Sequence, residues 1–103
     1  MKLIYIAGKI TNTKNYENNF ITAASMLDND GYTVINPACI DCLTNTVDYD
    51  TLCRLDMALL RECDAIFLLK DWYKSNGARE EFVEARNNGI KVIFEGEYKN
   101  GII

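Results

Sequence analysis

The chain contains no histidine. That excludes a Ser-His-Asp or Cys-His mechanism and removes the commonest metal ligand, so acid–base work falls to carboxylates, Tyr, Lys or Cys. Basic residues are also scarce: 11 Lys and Arg stand against 15 Asp and Glu, for a net charge of −4. A duplex-binding surface needs clustered Lys and Arg, so nucleic acid is not an expected partner. A small anionic ligand stays open, because a few placed donors suffice for one phosphate. No apolar run approaches the roughly 20 residues of a membrane span. The run Leu3–Ala7 is too short for a signal-peptide core and has no cleavage-like region after it. A cytoplasmic location is expected, where the four cysteines stay reduced.

What is present fits one domain over residues 1–103. Hydrophobic residues make up 49% of the chain, enough for a core, but the chain is small for a sheet covered on both faces. Helices on only some faces leave apolar surface, so a homo-oligomer, dimer or higher, is expected.

Leu3–Ala7 reads as a first strand, buried on both faces because polarity does not alternate. Tyr16, Phe20, Ala23, Ala24 and Leu27 recur at helical spacing and predict a helix over 15–29, ended by Gly31. Residues 32–35 read as a second strand, closed by Asn36-Pro37. Residues 38–50 form a long polar loop of the kind tied to function or mobility. A helix over 52–63, a strand over 65–69, a helix over 77–88 and a strand over 91–94 follow. The tail, 95–103, suits either an edge strand or packing on a partner. Such alternation implies an α/β fold with a flavodoxin-like or Rossmann-like parallel sheet of four to five strands, order 2-1-3-4(-5). Its switch point falls between the first and third strands, where Gly8-Lys9 and Lys70-Asp71 end the strands and ligands bind in such sheets.

The segment 67–81, FLLKDWYKSNGAREE, carries most of the chemistry. A buried strand stops at Asp71, a polar turn follows, and a helix presents Glu81 in its second turn. Glu81 lies at the edge of a stripe of Ala78, Phe82 and Ala85, whose small members leave room for a ligand. Glu80 and Glu81 are alternatively read as complements to the helix dipole, which explains Glu80 better. On the preceding helix Asp56 sits amid Leu52, Cys53, Leu59, Leu60 and Cys63. An acid there is either a structural Asp accepting backbone hydrogen bonds or the floor of a pocket.

Ser75 or Asn76 caps the Glu81 helix, and Gly77 would let an anion approach its amides. Tyr5 is a core residue whose hydroxyl needs a partner. Lys9 is a surface lysine or a phosphate contact; Trp72 and Tyr73 stack on a base or cover the sheet edge. Cys39 and Cys42 form a lone C-x-x-C without a second pair or His, and read as buried thiols rather than a metal or redox site.

Tyr5-Ile6-Ala7-Gly8, Asn36-Pro37, Asp56, Asp64-Ala65, Asp71 and Ser75-x-Gly77-Ala78-x-x-Glu81-x-x-x-Ala85 together resemble the nucleoside 2-deoxyribosyltransferase family, in particular its small phage and prophage branch of unknown function. The resemblance spans nearly the whole chain. It implies a flavodoxin-like fold, no cofactor and no metal, and cleavage of the N-glycosidic bond of a 2-deoxynucleoside or its 5′-monophosphate. It also implies roles. Glu81 is the nucleophile, held by Tyr5; Asp71 contacts sugar hydroxyls; Asp56 meets the base and, with a raised pKa, helps protonate it. Gly8, Ser75 and Gly77 line the sugar or 5′-phosphate end. Beside these roles, Lys9, Asn36 and Trp72 are expected as further substrate contacts. The chain is shorter than the transferases, which complete each pocket with C-terminal residues of a neighbouring subunit. Two other functions compete: a non-catalytic nucleotide-binding or sequestering module using the same crevice, and an NAD-cleaving glycosidase, for which so small a domain is less suited.

Overall fold

A computed structural model describes residues 2–10, 14–37 and 47–99. Within them Leu3–Ala7 (β1), Tyr16–Asn29 (α1), Thr33–Ile35 (β2), Tyr49–Arg61 (α2), Ala65–Leu68 (β3), Asn76–Asn87 (α3) and Lys91–Phe94 (β4) follow one another. The strands form one parallel sheet in the order β2-β1-β3-β4, the flavodoxin-like arrangement. Tyr5 pairs with Ile35 on one side and Ile66 on the other. β1 and β3 are central and covered on both faces, which is why neither alternates in polarity.

Alternate strand residues feed two cores. Ile4, Ile6, Ala65, Phe67 and Leu69 pack with Phe20, Ala23 and Leu27 of α1. Tyr5, Ala7, Ile66 and Leu68 face the other way, against Leu60 of α2 and Ala78 and Ala85 of α3. The two-residue period of a strand thus puts Tyr5 on the side where the acid-bearing helices lie.

Helix starts follow from side-chain caps. Asp48 accepts the Thr51 N–H at 2.7 Å, so α2 begins at Tyr49 rather than at residue 52. Ser75 accepts the Ala78 N–H at 3.1 Å and opens α3. At the far end of the sheet, the Asp64 carboxylate accepts the Leu3 N–H at 2.8 Å and ties β1 to the start of β3. The described part of the tail adds no strand. Glu95–Glu97 makes a 3-10 turn, and Tyr98 stands edge-on to Phe67 (ring centroids 5.5 Å apart) while donating its hydroxyl to Asp30. It therefore covers the α1-side core. Cys39, Cys42, most of the expected 38–50 loop and residues 100–103 lie outside the described residues. Among the described residues no helix is long and apolar enough to cross a membrane.

Candidate active site

A cavity of about 850 Å³ lies where the chain leaves β1 and β2 and enters α3, a size suited to a small organic ligand. Gly8 and Lys9 border it after β1, and Pro37 after β2. Tyr49, Cys53 and Asp56 of α2 form one wall; Lys74, Ser75, Gly77 and Glu81 form the other.

Glu81 is the buried charged residue of the described chain, 9% exposed. The small Ala78 and Ala85 on the same face of α3 are also buried and let the helix lie close to the sheet. That brings the Glu81 carboxyl to Tyr5 of β1, whose hydroxyl donates a hydrogen bond to Glu81 Oε2. Burial pushes the Glu81 carboxyl up from 4.5 to about 8; Tyr5's hydrogen bond opposes the rise, while the neighbouring charges of Asp56 and Glu80 add to it. Tyr5, fully enclosed, is itself driven far above the ordinary phenol range, first by burial and then by Glu81 and Asp56. Tyr5 is therefore a permanent donor, and Glu81 is a carboxyl whose charge is poised near neutral pH.

Asp56 is half-buried and lines the cavity. Its influence on both Glu81 and Tyr5 sets these groups in one electrostatic unit. Gly8 allows the floor to form. A Cβ there would come within 2.6 Å of Leu69 Cδ1 and 3.0 Å of Leu69 Cβ. Leu69 is held in place by its N–H bond to the Ala7 carbonyl at 2.9 Å.

The structure thus gathers Glu81, Asp56, Gly8, Lys9, Ser75 and Gly77 around one cavity, with Tyr5 behind Glu81. Asp71, Trp72 and Asn36, also expected at the substrate, do not line it. Asp71 leads into the 3-10 turn Trp72–Lys74, and its carbonyl accepts the Lys74 N–H at 3.0 Å. Trp72 packs against Phe82 and Phe94, ring centroids 4.9 and 6.0 Å away, and so covers the sheet near β4. The large apolar indole is drawn to that aromatic cluster rather than to the half-polar cavity. Asn36 precedes Pro37, the residue that does border the cavity.

Sequence reasoning missed Tyr49 and Lys74 and read Glu80 as a complement to the helix dipole; all three border the cavity. For Tyr49 a signal existed: Tyr49, Cys53 and Asp56 fall at i, i+4 and i+7, one helical face. Assigning 38–50 to a loop hides it, because the Asp48 cap starts the helix at Tyr49, ahead of the apolar pattern.

The family described as a domain of unknown function (DUF4406) matches residues 2–94, and the chain belongs to it. None of the curated proteins matches it in sequence. Among solved structures it is similar to a 2-deoxyribosyltransferase of the psychrotolerant bacterium Bacillus psychrosaccharolyticus, with a TM-score of 0.71 at 19% identity, over 95% of this chain and 77% of that one. It is similar also to a 2-desoxiribosyltransferase from Leishmania mexicana, with a TM-score of 0.71 at 18% identity, over 91% of this chain and 63% of that one. The chain therefore has the fold of these 2-deoxyribosyltransferases.

Proposed function

We propose that this protein cleaves the N-glycosidic bond of a 2-deoxynucleoside or its 5′-monophosphate, with Glu81 as the nucleophile. The observation that carries this reading is the buried Glu81 carboxyl, held by the Tyr5 hydroxyl inside a cavity it shares with Asp56. The likeness of the fold to 2-deoxyribosyltransferases supports glycosyl transfer at a nucleoside as the reaction class.

In this reading a Glu81 carboxylate oxygen attacks the anomeric carbon. The carbon–nitrogen bond breaks, its electron pair leaves with the base, and Asp56 delivers a proton to the departing base. A glycosyl ester on Glu81 results. Water or a second base then attacks the same carbon, the ester bond breaks, the carboxylate is regenerated, and the proton lost by the incoming nucleophile returns to Asp56. Two displacements retain the anomeric configuration. Tyr5 orients the carboxyl and opposes its tendency to hold a proton. Ser75 and Gly77, at the N-terminus of α3, together with Lys9 and Lys74, form the electropositive side of the cavity and receive the sugar and its 5′ end. This chemistry requires neither a histidine nor a metal.

The test is chromatographic. The protein is incubated with a panel of deoxynucleosides and their monophosphates, and released base is measured. Release that disappears in Glu81→Ala is expected, and adding a second free base separates transfer from hydrolysis. Turnover by Glu81→Ala at the wild-type rate removes the nucleophile assignment. Binding without any release assigns the protein to the sequestering modules instead.

A further inference from the structure

Tyr49 is the first residue of α2 and borders the cavity, yet it is 70% exposed. A large aromatic ring left open to water inside a concavity is a surface awaiting an occupant. Other aromatic rings near the site are already engaged. Trp72 is taken by Phe82 and Phe94, Tyr5 is enclosed, and Tyr16 is packed edge-on to Phe20 and against the α1-side core. Tyr49 shares its helical face with Cys53 and Asp56, so the ring and the Asp56 side chain border the cavity along the same wall.

We infer that Tyr49 is the platform on which the substrate's base stacks, so that α2 forms the base-binding wall and α3 the sugar-binding wall. The inference rests on the nucleoside reading above and adds the residue that recognises the leaving group. The electrostatics agree with the placement. The Tyr49 hydroxyl is raised above its ordinary value, first by the neighbouring Cys53 thiol and then by partial burial and the charges of Glu80 and Glu81, so it lies within the field of the reacting carboxyl. Because every base has a π-face, such a platform selects for a planar aromatic leaving group rather than for one particular base. A purine overlaps the ring more than a pyrimidine and depends on it more.

The experiment compares wild type, Tyr49→Phe and Tyr49→Ala by calorimetric binding of adenine and cytosine and by steady-state kinetics on deoxyadenosine and deoxycytidine. Tyr49→Ala is expected to weaken adenine binding and raise the KM for deoxyadenosine by about 5- to 150-fold. The effect on cytosine and deoxycytidine is smaller, and kcat changes far less than KM. Tyr49→Phe restores the wild-type values, and both variants keep the wild-type melting temperature, since the side chain is mostly exposed. A Tyr49→Ala protein that binds adenine as tightly as a binding-competent wild type overturns the inference and leaves the nucleoside reading standing. Equal losses for purine and pyrimidine, or no rescue by Phe, overturn it too. A wild-type protein that binds neither base and turns over neither the nucleosides nor their 5′-monophosphates overturns the nucleoside reading itself, and the inference with it.

Discussion

Replacing Glu81 by Gln should make the protein's stability less dependent on pH, and the size of the effect follows from the site. The unfolded chain releases the Glu81 proton near 4.5, whereas burial holds it in the native state up to about 8. Between those values folding takes up a proton, so the wild type loses stability as pH rises and keeps it fully only below about 4.5. A pKa change of one is worth about 1.4 kcal/mol. Moving from 4.5 to about 8 therefore amounts to about 5 kcal/mol, a large part of the roughly 5–15 kcal/mol that holds a domain folded. Glutamine is nearly isosteric, keeps an oxygen to accept the Tyr5 hydroxyl, and does not ionise. Urea unfolding at pH 5 to 9 measures both proteins. The advantage of Glu81→Gln over wild type should grow by about 1.4 kcal/mol per pH step between 5 and 8, then level off. A difference that stays flat, or a wild type that gains stability as pH rises, refutes the reasoning. Either result would mean that the carboxyl is solvated or paired with a cation.

Three further outcomes follow from the same geometry. Tyr5→Phe removes the hydrogen bond that favours the ionised carboxyl, so the rising limb of the pH profile of kcat/KM moves above its wild-type position near 8; urea midpoints should show a loss of about 1–3 kcal/mol. Asp56→Asn removes a neighbouring charge that raises Glu81, so its rising limb moves to lower pH, while base release slows because the proposed proton donor is gone. Gly8→Ala forces a Cβ to within 2.6 Å of Leu69 Cδ1 and 3.0 Å of Leu69 Cβ. Thermal melting should show a loss of about 1–3 kcal/mol, as in other overpacked cores, and an unchanged melting temperature would show that Leu69 moves aside.

Much of the fold was legible in the order of residues because helix and strand periods are local properties. The uniformly apolar Leu3–Ala7 and Ala65–Leu68 marked central parallel strands, and Phe20, Ala23 and Leu27 marked the buried side of α1. Asp56 stood out as an acid within an apolar stripe, and Glu81 as an acid beside small residues. What local pattern could not supply was direction. The contact between Tyr5 and Glu81, 76 residues apart, was implied only by the family resemblance. In space it depends on strand order, on the register of β1 with β3, and on how closely Ala78 and Ala85 let α3 approach. Trp72 and Asp71 neighbour the same segment in sequence, yet the turn after β3 carries the indole to Phe82 and Phe94, where it buries more apolar surface. Tyr49 was hidden by a cap, since the Asp48–Thr51 bond extends α2 by one turn and swings the ring to the cavity mouth. Residue order alone was enough for the elements, their parallel arrangement and a chemistry without histidine. Which side chains meet is set by the folded chain, because burial and register act between segments that no short-range pattern connects.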